Sequence, residues 1–310
     1  MTAASPQNRN NTKTETETIV QRHMDREAVQ TQNMKNVSTT IQNVKEWKCP
    51  HFDDNFMLLA TGSSARVYCN SLSRTVFKVA PKSLALYVRR EMKIMDLLKE
   101  KGAASNPHIL MAREYVTHEE YDYIVFPYGG HALVDILHSL RFDWQKESII
   151  SQVIKAVSFL HDNGILHRDI KLDNILVTSE YHTTLCDFGF ASAPLDMNKK
   201  SSFWGGTEWY LSPEIISRTP YDPRKADYWA MGICFFGIWF NRFPFHNLNV
   251  DPEPFASFYK EVIQEGHMSP FSFFTKRNSD LILSLPCTDF FVSCIDTLLC
   301  KEEHRYLPYL

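Results

Sequence analysis

His167 Arg168 Asp169 Ile170 Lys171 Leu172 Asp173 Asn174 Ile175 Leu176, followed by Asp187 Phe188 Gly189, holds the residue types best suited to chemistry in this chain. Asp169 can accept a hydroxyl proton, and Asn174, five residues on, can hold a metal through its amide oxygen. Asp187, thirteen residues beyond Asn174, adds a second oxygen ligand. Asp beside Gly and Asn usually serves only as a turn or cap residue. One such tripeptide would carry little weight, but the order and joint spacing of the set argue for a functional assembly.

The surrounding pattern supplies elements that could position these groups. From Asn55 to Phe77, apolar and polar residues alternate around Gly62 and around the turn-forming Asn70 Ser71, which predicts strands joined in a hairpin. Leu84, Val88, Met92, Met95 and Leu98 recur at helical spacing, so a helix is expected over Leu84 to Leu98. Glu91 lies near that stripe, where it needs a partner. A strand resumes over Tyr121 to Phe126 and is broken by Pro127 to Gly130, and the sequence from Leu133 onward reads mainly as helices with loops. The thirteen apolar residues from Tyr228 to Phe240 are too few to span a bilayer and suit a buried core helix.

At 310 residues, with 44% hydrophobic and 13% aromatic content, the chain can form two lobes or one domain with a tail. A net charge of −3 gives no global basic field, so no nucleic-acid partner is expected. The seven cysteines are odd in number, scattered and without a Cys-x-x-Cys pair, which argues against a disulfide framework or structural zinc. Residues 1–51 are polar and are expected to form a disordered tail. No apolar segment of signal-peptide length begins the sequence, so the expectation is a cytoplasmic or nuclear protein, not secreted and with no membrane partner. The oligomeric state stays open.

Taken together, these motifs resemble a eukaryotic-type protein kinase of the serine/threonine type, from about Phe52 to Arg305. The resemblance implies an α+β fold of two lobes within 52–310. The N-lobe, about 52–127, would be a small antiparallel sheet with one main helix. The C-lobe, about 128–310, would be larger and mainly helical. ATP and Mg2+ would bind between them, and protein substrates would supply the attacking hydroxyl. Asp169 would be the catalytic base and Lys171 the stabiliser of the transferring phosphoryl group, with Asn174 and Asp187 as magnesium ligands. Lys78 would contact the phosphates, held by Glu91. Leu59, Ala60, Thr61, Gly62, Ser63, Ser64 and Ala65 stand where the family has its glycine-rich loop, with only the middle glycine kept. Val67, Val76, Phe126 and Leu176 would line the nucleotide site. Pro127 has no amide hydrogen, so Tyr128 is expected to donate to adenine from the hinge.

Further positions follow from the same resemblance. Thr207 and Ser212 Pro213 Glu214 resemble the end of the activation segment, with Ser212 in place of the usual Ala. Glu214 would pair with Arg305, although Lys301 Glu302 stand where Asp-Pro is usual. Asp227 would cap the catalytic loop, and Met95, His167 and Phe188 would stack in a column linking the lobes. Lys171 and Thr207 lean toward serine and threonine substrates. A phosphate on Ser201 or Ser202 could dock on Arg168; the alternative is a loop that needs no phosphate. Ala60 and Ala65 are the only support for a rival reading as a pseudokinase, a scaffold without turnover.

Overall fold

The computed structural model describes residues 54–194, 196–244, 271–272, 287–300 and 302–308. The expected polar tail, 1–51, lies outside the described residues.

The alternation after Asn55 produces β1 (Phe56–Thr61), β2 (Arg66–Asn70) and β3 (Thr75–Pro81). β1 and β2 pair antiparallel through the turn at Gly62, with an irregularity between Leu58 and Ala60. Asn70 builds the next turn, its side-chain oxygen accepting the amides of Leu72 and Ser73 at 3.0 and 2.9 Å. Lys82 to Ala85 then form a turn, so helix α1 (Leu86–Glu100) begins two residues later than its apolar stripe predicts. It buries Val88, Glu91, Ile94, Met95 and Leu98. β4 (Glu114–Thr117) and β5 (Tyr121–Pro127) complete an antiparallel sheet in the order β1-β2-β3-β5-β4. Asp122 of β5 is buried and accepts hydrogen bonds from Lys82 and, at 2.7 Å, from Arg89 Nε. A carboxylate so deeply placed needs such partners, and these tie the first turn of α1 to the sheet.

The larger lobe contains β6 (His131–Ala132), α2 (Leu133–Ile136), α3 (Asp143–Asp162), β7 (Ile175–Val177), β8 (Thr183–Leu185), α4 (Pro213–Ile216), α5 (Pro223–Phe240) and α6 (Asp289–Leu298). The sequence pattern missed the small sheet β6-β7-β8. Strands of two or three residues are too short for alternation to register. Gln145 supports the start of α3 by accepting the amides of Arg141 and Phe142, both at 2.9 Å. Asp222 caps α5 by accepting the Arg224 amide at 3.0 Å, and Pro223 occupies the first helical position. Asn241, with φ 52°, ends it in the left-handed region.

From Tyr228 onward α5 is apolar on all sides and is accordingly the central core helix, with Trp229, Met231, Phe235 and Phe236 fully buried. Trp239 stacks on Phe291 of α6 with ring centroids 4.3 Å apart. Among the described residues no helix is long and apolar enough to cross a membrane.

Two glycines let α5 come close to its neighbours. A Cβ at Gly237 would lie 3.1 Å from Leu172 Cδ1, in the segment that carries Asn174. One at Gly232 would lie 2.6 Å from Leu299 Cδ2 and 3.0 Å from Leu298 Cβ. Gly232→Ala therefore tests the packing. Overpacking costs about 1–3 kcal/mol, which exceeds the roughly 1 kcal/mol that Ala gains over Gly as a helix former. The expected outcome is a lower thermal unfolding midpoint; an unchanged or higher one would contradict this close approach.

Candidate active site

The segment from His167 to Asn174 has no regular structure of its own until the short turn Leu172–Asn174, so its shape is imposed from outside. Asp227 of α5 does most of this. Its Oδ2 accepts the His167 amide at 3.0 Å and its Oδ1 the Arg168 amide at 2.9 Å, which holds Arg168 at φ 65°. His161 Nε2 lies 2.9 Å from the same carboxylate. Burial works against the charge on Asp227, yet these donors keep its pKa below the usual carboxylate value. The His167 ring is fully buried, and burial lowers its pKa, so it stays neutral. It donates from Nε2 to Cys186 O at 3.0 Å and packs against Phe188, centroids 4.9 Å apart. Met95 and Phe188 both belong to the continuous hydrophobic core.

The catalytic groups converge on this frame. Asn174 Nδ2 donates to Asp169 O at 2.8 Å and to Asp169 Oδ2 at 3.2 Å. Lys171 Nζ lies 3.3 Å from the same Oδ2. Burial works to discharge Lys171, but Asp169 and its acidic neighbours raise its pKa and keep it charged. Thr207 completes the group: its hydroxyl donates to Asp169 Oδ1 at 2.7 Å and accepts from Lys171 at 3.2 Å. The Asp169 carboxylate thus already receives one hydroxyl at hydrogen-bond distance.

Across the site, Lys78 joins three elements. Its Nζ donates to Glu91 Oε2 at 2.6 Å and to Asp187 Oδ1 at 2.7 Å. Burial disfavours the ammonium, but the two carboxylates raise its pKa above the usual value. Glu91 is wholly buried, and burial raises its pKa against the pull of Lys78. Its other oxygen accepts the Phe188 amide at 3.0 Å. Asp187, at φ 62°, also accepts the Gly189 amide at 3.2 Å. Burial works to raise its pKa, but Lys78 outweighs this and pulls the carboxyl down to about 2.

The expected metal ligands fit a magnesium ion. Asn174 uses its nitrogen toward Asp169 and Asp187 uses Oδ1 toward Lys78, so Asn174 Oδ1 and Asp187 Oδ2 remain available as hard ligands. Among the described residues no group of three His, Cys, Asp or Glu could hold a metal alone. That suits an ion whose remaining ligands are phosphate and water.

Apart from Leu176 of β7, the residues expected to line the nucleotide site lie on the sheet of the small lobe and at its turns. Val67 pairs in register with Lys78, and Val76 with buried Phe126. Leu59, Ala60 and Thr61 lie exposed on β1. The Gly62 amide donates to Ala65 O at 2.9 Å, closing a turn over exposed Ser63 and half-buried Ser64, while Ala65 packs into the core. Tyr128 departs from expectation. Its amide already donates to Arg74 O at 3.0 Å, continuing the β3–β5 ladder, so it is not the hinge donor. Antiparallel alternation then makes Thr75 and Pro127 a non-bonded pair, where a missing proline amide is harmless and the Pro127 carbonyl faces away from β3. The next amide is that of Gly129, which lies beyond the end of β5. A Cβ there would lie 2.8 Å from Leu176 Cδ1 and 3.1 Å from Leu110 Cδ1. Gly129 belongs to the hinge Pro127 Tyr128 Gly129 that the resemblance implies, but the sequence alone does not show which of its amides the sheet engages.

Anchoring of the large lobe also matches expectation: Arg305 Nη1 donates to Glu214 Oε1 at 2.6 Å and to Lys225 O at 2.8 Å.

Residues 55–305 match the family described as protein kinase domain. Serine/threonine-protein kinase STE20 of Saccharomyces cerevisiae is 32% identical over 182 residues, 58% of this chain and 19% of its own. Serine/threonine-protein kinase PAK 5 of Rattus norvegicus is 34% identical over 184 residues, 58% of this chain and 25% of its own. Serine/threonine-protein kinase PAK mbt of Drosophila melanogaster is 33% identical over 199 residues, 63% of this chain and 31% of its own. The chain therefore spans less than a third of the length of these relatives.

The charge balance at Lys78 gives a direct test. In Lys78→Met the Asp187 carboxyl loses the partner that lowers it most and should titrate above its present value of about 2. Carboxyl NMR measures this. A depressed native value means that the Asp187 contribution to stability is present above the ordinary carboxylate pKa and is lost as pH falls toward 2. Removing Lys78 should diminish that acid-side loss, because the folded value then lies nearer to the unfolded one or above it; an unmoved titration would show that something else holds the charge.

Proposed function

This chain belongs to the protein kinase family, and we propose that the protein transfers the γ-phosphate of ATP to serine and threonine hydroxyls of other proteins. The observation that carries this reading is the meeting of Asp169, Lys171 and Thr207 on one side of the site with the Lys78–Glu91–Asp187 cluster on the other. The relatives' names, all serine/threonine-protein kinases, support the same class.

Phosphoryl transfer depends mainly on alignment and charge compensation. In the proposed reaction Asp169 orients the substrate hydroxyl and receives its proton. Thr207 holds the other face of that carboxylate, and Lys171 presents a positive charge beside it. Lys78 brings a second cation from the small lobe, fixed in place by Glu91. Asn174 and Asp187 would hold magnesium, which supplies neutralisation of phosphate charge. The Gly129 amide and Pro127 carbonyl offer a donor and an acceptor for the adenine edge. Every charged position is filled and partnered for this work, which favours turnover over a scaffold role.

Asp169→Asn preserves shape while removing the base. A positioned general base is worth about 10²- to 10⁴-fold, so labelled-phosphate transfer to a generic protein substrate should fall by that order with the unfolding midpoint retained. Near-normal transfer would refute the assignment of Asp169. Acid hydrolysis of the product should separately release phosphoserine or phosphothreonine. Predominant phosphotyrosine would overturn the substrate class.

A further inference from the structure

Arg168 directly precedes the base, and its guanidinium makes no hydrogen bond or ion pair among the described residues, while its Nε is wholly buried. An arginine in that state needs compensation from something else. The Phe203 ring supplies it: Arg168 Cζ lies 4.8 Å from the ring centroid.

Both backbone polar groups of Phe203 are engaged. Its amide donates to Ser201 Oγ at 3.1 Å, and its carbonyl accepts the Tyr221 hydroxyl at 2.7 Å. Ser201 and Tyr221 exchange backbone hydrogen bonds of 2.8 and 3.0 Å. Tyr221 leads directly into the cap of α5, which carries Asp227, and Asp227 accepts the Arg168 amide. The chain of contacts therefore closes on itself. Gly205 permits it: a Cβ there would sit 2.7 Å from Phe203 Cζ and drive the ring off the guanidinium.

We infer that Phe203 is a positioning residue for Asp169, acting through Arg168, and that it holds the segment before Thr207 in its working conformation without a phosphate. The cation–π contact takes the place that an anion on Ser201 or Ser202 would otherwise fill. This rests on the kinase reading above for its catalytic consequence, though the clasp itself is a matter of structure.

The test replaces the Phe203 ring with mono-, di- and trifluorinated phenylalanine, which weakens the π face with little change in shape. kcat should fall stepwise with fluorine number, several-fold in total, with KM for ATP unchanged. Phe203→Leu and Gly205→Ala should each reproduce the full loss. Phosphatase-treated wild-type protein, shown by mass spectrometry to carry no phosphate, should keep its kcat. A flat fluorine series, or a several-fold loss of kcat on phosphatase treatment, would overturn the inference. Hydrogen exchange at the Ser201, Phe203 and Tyr221 amides reports on the clasp independently of activity, and Phe203→Leu should speed it several-fold. If the wild type transfers no phosphate at all, the kinase reading fails and this exchange measurement alone decides the clasp; unchanged exchange would overturn it.

Discussion

The ammonium of Lys78 lies 2.6 Å from Glu91 and 2.7 Å from Asp187, with 13% of its side chain exposed. A charge held that far from water is tolerable only with opposite charge beside it. The two carboxylates arrive on separate elements: Glu91 from α1, Asp187 from the turn after β8. The ion pairs therefore exist only when both elements are correctly placed. Asp122 secures one of them by holding Arg89 of α1 to β5. The Phe188 amide secures the other by donating to the second oxygen of Glu91. Such a cluster adds little net stability over an apolar one, but breaking it strands a buried charge. Its value lies in fixing where two lobes meet.

Asp227 plays the matching part in the large lobe. A loop without helical or strand bonding must satisfy its amides some other way, and two of them, from His167 and Arg168, end on this one buried carboxylate. The carboxylate is delivered by the helix most fully enclosed in the core, so the catalytic loop inherits the rigidity of α5. Gly237, by admitting Leu172 to the helix surface, brings the other end of that loop against the same element. His167 and Phe188 then join the two anchoring systems through direct ring contact.

Departures from the family pattern are absorbed locally. Glu302, standing where a proline is usual, accepts the Asp222 amide at 2.7 Å and pairs with Lys200 at 2.6 Å. It thereby links the segment after Asp187 to the start of α5. Arg305 keeps its pairing with Glu214 because it is also held by the carbonyls of Cys300 and Lys225. Ser212 is the less economical substitution: its hydroxyl is buried without a hydrogen-bond partner among the described residues, and nothing in the structure explains the choice of Ser over Ala.

The residues proposed to do chemistry were legible in the sequence because their spacing is set by the chain itself. Asp169, Lys171 and Asn174 fall within one short loop, and Glu91 stood out as a charge beside an apolar stripe. The main strands of the small lobe, α1 and the buried α5 were legible for the same reason, since each is long enough for its period to show. What only the tertiary structure decided were relations between distant segments. Tyr128 reads as a hinge donor until the pairing of β3 with β5 engages its amide with Arg74. Phe203 carries no sequence mark of its role, because a ring becomes a partner for Arg168 only when the Ser201–Tyr221 pairing folds it there and Gly205 leaves room. Local sequence sets backbone period and reactive type; which amide is free and which charge is covered depend on contacts between residues far apart in the chain, and no local pattern encodes those.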